Sequence, residues 1–412
     1  MGHRRVVITG LGVVAPNGIG KEAFWYATHS GISGIKPLQR YPTADLPISV
    51  AGEITDFVAH DYIERKLANR TDRMTHFALA AAQEALQDAN IVLERENPQR
   101  VGAVVANTLG GVEYVLEQTQ PLYTRGPRYL SVYTAIAWLQ VANAGQLSIR
   151  HGIQGYCKTP VNDTAGGLNA LGMAYRAIRR NAADVILAGG CEAPLYPLVL
   201  LVLGRSDYVA LGDDPRAYRP FDRRAAGLLL AEGAGICILE EYEHAQRRGA
   251  PIYGEIVGYG QTNDAHGLGN PSSDGSLYAR AIQLAMEEGD VCQEDIAYFS
   301  LDGRAVPSSD RGEAEALHMV FGSNLERLPV SVPRTMLGHS YAAAGTLDAI
   351  TALLALRHGL IPPAINCEEL DARYGLNLVR KVALPLSGRA VLIGGRGMGG
   401  VNVALALQKM NE

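Results

Sequence analysis

The stretch PVNDTAGGLNALGMA, from Pro160 to Ala174, reads as a short extended entry, a turn at Gly166 and Gly167, and a helix. Strand-turn-helix corners mount the nucleophile in many α/β enzymes. The residue at this corner is Thr164 or Ala165, neither of them cysteine or serine. A threonine hydroxyl has no accessible anion near neutral pH without a strong base, so Thr164 is a poor nucleophile on its own. Two other side chains could do nucleophilic or acid–base work: Cys157, in GYCKTP, and His339, in PRTMLGHSYAAAG. The ordinary reading of Cys157 is a small buried hydrophobe. The ordinary reading of His339 is a relic, or a core histidine with its hydrogen bonds satisfied. The corner is an active site with an unusual nucleophile, or a place where one is missing.

The elements that must hold these residues alternate along the chain. Segments 4–14, 101–108, 183–190 and 233–240 are short Val/Ile/Ala-rich runs bounded by glycine, as buried strands are. Segments 73–90 and 166–180 have helical spacing, and a helix in YEHAQRRGAP stops at Gly249 before a proline. The order then begins again: strand 252–262, helix 274–290, strand 296–303, helix 345–359, and strand 390–400 entering a glycine turn. No literal repeat stands out, yet the shared order predicts two similar α/β halves, 1–250 and 251–412. The alternative is one large doubly wound sheet. Two segments break the rhythm, 110–152 and 195–235, and their apolar excess predicts either a partner interface or ligand tunnel, or plain core.

Composition narrows the class. The chain has 412 residues, 47% hydrophobic, with a net charge of -5. No basic block points to nucleic acid. LYPLVLLVLG, 195–204, is far too short to span a bilayer. The N-terminal run, broken by glycines, reads as a buried strand and not as a signal peptide. Five scattered cysteines with no C-x-x-C pair argue against disulfides and a zinc site, and for a reducing cytoplasm. No metal or cofactor is implied.

Four stretches together resemble the ketosynthase family of the thiolase fold: VVITGLGVVAPNG (6–18), RAYRPFDRRAAGLLLAEGAGICILE (216–240), RTMLGHSYAAAG (334–345) and GGRGMGGVN (394–402). The resemblance implies a duplicated five-layer αβαβα fold and a dimer that joins acyl groups carried on acyl carrier protein. The family's reaction needs a cysteine thiolate that takes the acyl chain, and two histidines that assist loss of CO₂ and steady the enolate. The family writes these as T-A-C-S-S-G, H-G-T-G-T and K-x-x-x-G-H. Here Thr164 stands at the cysteine, Asp302 at the first histidine and Arg334 at the lysine, while His339 is kept. A carboxylate about 4 Å from a forming enolate opposes it by roughly 4 kcal/mol at an effective dielectric near 20, unless it is protonated or paired with Arg304. Asp310 and Glu313 match acidic positions read as holding the fold, and Asn402 as supporting a turn.

A closer resemblance is to chain length factors, the non-catalytic partners of ketosynthases in type II polyketide synthases. TAGGLNAL, GRAVPSSDRGEAEAL, 129–152 and 360–379 carry it. The resemblance implies no catalytic residues of its own, with Thr164, Asp302 and His339 degenerate. It implies a heterodimer with a cysteine-bearing ketosynthase, an acyl carrier protein bearing the growing chain, and a buried interface tunnel. Matching the G-G turn places tunnel residues at Val112, Val115 and Thr119, with Leu198 nearby. Their small size implies a tunnel longer or wider than in systems that stop early. The rival reading is an active condensing enzyme or decarboxylase using Thr164, Cys157 or His339.

Overall fold

The computed structural model describes residues 4–410; residues 1–3, part of the N-terminal run read above, lie outside them. The first half runs β1 (Val6–Ala15), α1 (Arg73–Asp88), β2 (Val101–Ala106), α2 (Val112–Arg125), α3 (Ala142–His151), β3 (Cys157–Lys158), α4 (Gly166–Arg179), β4 (Val185–Glu192), α5 (Pro197–Leu203) and β5 (Gly233–Glu241). The second runs β6 (Gly254–Asn263), α6 (Ser276–Gly289), β7 (Ile296–Ser300), α7 (Pro307–Phe321), β8 (Pro329–Ser331), α8 (Ala342–His358), β9 (Asn377–Leu378), β10 (Ala390–Arg396) and β11 (Val401–Gln408). The strand β11 was not foreseen. Its alternation VNVALALQ follows directly on the glycine turn, which masks the start of a new element.

Across the sheet the first half is ordered β3-β2-β4-β5-β1 and the second β6-β11-β10-β7-β8-β9. Both halves pair their first strand antiparallel to their last, the last antiparallel to the strand just before it in sequence, and the remaining neighbours parallel. Three residue pairs join them, Val6–Ile8 against Gly254–Ile256. The repeat extends to packing. Gly10 and Gly12 on β1 face the backbone of α1, where an added Cβ would lie 2.1 Å from Ala85 O and 1.8 Å from Ala81 O. Gly258 and Gly260 on β6 do the same against α6, each 1.9 Å from the carbonyl of Ala285 or Ala281. Only glycine allows a helix axis so close to a strand.

Between the sheets lie α4 and α8. Residues 342–356 of α8 are buried on every side, as a middle-layer helix requires. The two helices meet at their N-termini: a Cβ on Gly167 would sit 2.5 Å from Ala342 O, and one on Gly345 2.8 Å from the Leu168 side chain. Each touches both halves, α4 through Gly172 against the Tyr259 ring and α8 through Thr346 against Gly235. With α1 and α3 outside one sheet and α6 and α7 outside the other, the architecture is the five-layer αβαβα thiolase-like fold. Among the described residues no helix is long and apolar enough to cross a membrane.

One expectation fails here. Cys157 is exposed, on the outermost strand β3, with its Sγ 3.3 Å from Ser148 Oγ. It is not a buried hydrophobe, because among the described residues the edge strand has no neighbour on its outer side.

Candidate active-site remnant and interface

The meeting of the α4 and α8 N-termini brings Thr164 and His339 together. Thr164 Oγ1 lies 3.2 Å from His339 Nε2 and 3.2 Å from Asp163 Oδ2. Both residues are fully buried. A hydroxyl has one proton, and the carboxylate can only accept it, so the partners assign Nε2–H as the donor to Thr164. Burial, then the charges of Arg334 and Arg304, push His339 well below the usual histidine range and keep it neutral. Its Nδ1 has no hydrogen-bond partner among the described residues. In this tautomer His339 donates toward Thr164 and takes no proton from it. A histidine so arranged is not a base for that hydroxyl.

Asp163 was quoted in the corner but given no role. Its Oδ2 accepts the Met398 N–H at 2.8 Å, the Thr164 hydroxyl and Arg304 Nη2 at 3.4 Å. Its φ of +50° is left-handed, which aspartate tolerates better than most residues. Arg304 is 2% exposed and also donates to Arg396 O at 3.0 Å. Burial works against its charge, and the neighbouring Asp163 and Asp302 outweigh that and hold its pKa raised.

Asp302 requires a correction. It pairs with Arg334, not with Arg304: Arg334 Nη1 donates to Asp302 Oδ1 at 2.6 Å, and Arg334 Nε to Asp348 Oδ2 at 2.7 Å. All three are 0–1% exposed. The negative charge at position 302 is therefore compensated by a guanidinium. A carboxylate paired in this way offers no hydrogen-bond donor. A lone acid inside the apolar run GTLDAITALLALRHG was the available signal for Asp348. Glu313 accepts the N–H groups of Asp302 and Gly303, and Asp310 those of Arg304 and Phe221. Burial pushes Asp310 up to about 8. These two carboxylates fix the backbone of 302–304. Asn402 donates to Asp264 Oδ1 at 2.6 Å and to Gly400 O at 3.3 Å, so it ties the glycine turn.

Residues 3–245 match the family profile described as "Beta-ketoacyl synthase, N-terminal domain", and residues 253–368 the corresponding C-terminal domain. The chain belongs to the beta-ketoacyl synthase family. It is 40% identical over 407 residues, 98% of either chain, to the tetracenomycin polyketide synthase ketoacyl synthase beta subunit of Streptomyces glaucescens. Among solved structures, the ishigamide ketosynthase/chain length factor superposes with a TM-score of 0.91 at 30% identity, covering all of both chains. A type II polyketide synthase acyl-carrier protein in complex with its ketosynthase, bound to a hexaketide, gives a TM-score of 0.91 at 28% identity over the whole of both chains.

Within this ketosynthase fold the remaining sequence-derived positions lie on the surface beside the corner. A Cβ on Gly166 would lie 3.2 Å from the Ala106 Cβ, so β2 ends at the corner, and the turn that follows starts α2. Glu192, pushed up to about 8 by burial, accepts the N–H groups of Thr108 and Leu109 and pins that turn. Asp72 accepts the N–H groups of Met74 and Tyr114, tying α2 to the start of α1. Val112, Val115 and Thr119 then fall on one half-buried face of α2. Leu198, on α5, is 47% exposed.

Around them the apolar excess resolves. Tyr123, Val132, Ile136, Trp138 and Val141 are each more than half exposed, as is Val202 on α5. The backbone of 137–138 packs directly on Gly110 and Gly111, so this surface is continuous with the start of α2. In 195–235 the reading divides: Leu198, Leu201 and Val202 face outward, whereas 208–210 and 227–235 are core. A face this apolar on one chain marks an association surface.

Proposed function

We propose that this chain is the chain length factor of a type II polyketide synthase, divided into half-units 1–250 and 251–412. It pairs with a cysteine-bearing ketosynthase and contributes one wall of the tunnel into which the acyl-carrier-bound chain grows. The observation that carries this reading is the state of Thr164. Its hydroxyl is buried, hydrogen-bonded to its neighbour's carboxylate, and faces a neutral histidine that donates to it. Acyl transfer from a thioester needs a thiolate or an activated hydroxyl, and this corner has neither.

The tunnel would act as a ruler. A reactive β-keto or polyene chain is kept from water in a dry cavity, and extension ends when the chain meets its floor. Val112, Val115, Thr119 and Leu198 are small or aliphatic, which favours a roomy tunnel. The site of action is the cytoplasm, with acyl carrier protein and ketosynthase as partners. The rival, a condensing enzyme or decarboxylase working through Thr164, Cys157 or His339, is disfavoured by the exposed edge position of Cys157.

The test is co-expression with a ketosynthase carrying an intact T-A-C motif, followed by mass measurement of the carrier-bound product. Val112→Phe and Val115→Trp should shorten the chain by at least one two-carbon unit while the heterodimer persists. Unchanged length with both variants would refute the ruler. An acyl group trapped covalently on this chain during turnover would refute the non-catalytic reading.

A further inference from the structure

Three donors of different kinds converge on one carboxylate oxygen beside Thr164. The Met398 backbone N–H comes from the glycine turn after β10, the guanidinium of Arg304 from the loop after β7, and the Thr164 hydroxyl from the corner itself. The acceptor of all three is Asp163 Oδ2. Such a set, a fixed N–H, a buried cation and a hydroxyl, is how proteins bind a small anion. Here the anion belongs to the same chain, and its side chain is almost fully buried. The backbone is bent into the left-handed region to deliver it, with φ +50°.

We propose that Asp163 is a built-in ligand, and that beneath it lies an anion site of its own, specific for a small monocarboxylate. The side chain of aspartate beyond Cα is an acetate group. Its removal leaves a cradle of that size and charge, lined by Arg304, the Met398 N–H, Thr164 and, through Thr164, His339. Arg304 gives the cradle its sign. Its Nε has no hydrogen-bond partner, and Asp163 is the one carboxylate within ion-pair distance of it among the described residues. Empty of an anion, the cradle would leave a buried guanidinium without its ion-pair partner, which is strongly unfavourable. The corner is thus closed in two independent ways: by the absence of a thiol at 164 and by an anion already seated beside it.

Asp163→Gly tests this, because glycine adopts the left-handed backbone without strain and removes only the carboxymethyl group. The full-length chain, with its partner if the two co-purify, is melted at pH 7 in sodium acetate, in sodium chloride of equal ionic strength, and in acetamide. A ligand that binds the folded state alone raises Tm in proportion to its occupancy. The variant should melt below the wild type and recover in acetate in a saturable way, with at least a tenfold preference over acetamide. The wild type should respond to acetate no more than to chloride. Adding Arg304→Met to Asp163→Gly should abolish the acetate response. If Asp163→Gly does not fold in chloride, its refolding yield in acetate against chloride is the readout. An acetate response equal in variant and wild type, or one that survives loss of Arg304, would overturn the proposal. So would a variant that is destabilised but indifferent to acetate, the behaviour of a merely structural ion pair.

Discussion

Replacing Arg334 with methionine, which has a similar length and no charge, should unmask two buried carboxylates at once. In the wild type Arg334 bridges Asp302 and Asp348, and all three are out of solvent. Without the guanidinium both acids are left buried without their partner. For Asp302 the loss costs about 4 kcal/mol, as removing one member of a buried pair does. Burial already holds Asp348 at about 6 against the opposing pull of Arg334. It therefore adds only about 1 kcal/mol more at pH 7. The total, about 5 kcal/mol, lies at the upper end of what breaking a buried pair costs. Asp348, freed of the pull of Arg334, moves further above its unfolded value, so the folded variant binds more protons than its unfolded chain around pH 7. The deficit should accordingly shrink by about 1 kcal/mol between pH 7 and pH 5. Urea titrations of both proteins at pH 7 and pH 5, followed by near-UV circular dichroism, measure this. A deficit under about 1 kcal/mol at pH 7 would refute the bridging of Asp302 and Asp348 by Arg334, and one that stays constant with pH would refute the pull of Arg334 on Asp348.

Restoring the family's chemistry residue by residue should fail: Thr164→Cys with Asp302→His sets an imidazole against Arg334. Intact-mass analysis after incubation with acyl carrier protein substrates should show no acyl adduct. Trp138→Asp and Val202→Asp, at positions 56% and 62% exposed in the single chain, should each weaken association with the ketosynthase. The expected rise in Kd is about 30-fold or more, read by calorimetry, if these aromatic and aliphatic anchors sit at the centre of the contact. His244 is held above its ordinary range by its hydrogen bond to Glu240, with Glu96 adding to the pull. A raised histidine stabilises fully below its unfolded value and ceases to do so as pH passes its folded one. The His244→Gln deficit in Tm should therefore be widest at pH 6 and fade toward pH 9.

Most of the secondary structure was legible because its signals are local. The helices 73–88 and 166–179 and the strand 101–106 fall within the segments their spacing marks, and the strand 185–192 starts within its segment and runs two residues past it. The duplication was legible as an order of elements, but its sharpest mark went unread: Gly10/Gly12 with Ala81/Ala85, and Gly258/Gly260 with Ala281/Ala285. A G-x-G strand and an A-x-x-x-A helix far apart in sequence acquire meaning only when packed together. The same holds at the corner. Thr164 and His339 are 175 positions apart, and it was the family resemblance, not spacing, that brought them to one place. The meeting of Asp163 with Arg304 and with the Met398 N–H escaped notice because the three lie far apart in sequence, Asp163 and Arg304 by 141 residues. Asp302 was given the wrong partner, since which of two nearby arginines it meets depends on side-chain direction. The apolar excess of 110–152 was visible, but which residues face outward was not, because its helices are short and irregular.

The strand β1 is flanked on one side by β5 and on the other by β6, so residues near position 7 find their neighbours only near 240 and 255. During synthesis this apolar strand leaves the ribosome well before either partner, and about 230 further residues must follow before either edge can be covered. Such distant closure slows folding and leaves a sticky segment unprotected meanwhile. Yield in a foreign host should therefore depend on translation speed and on trigger-factor-like chaperones more than on the stability of the finished protein.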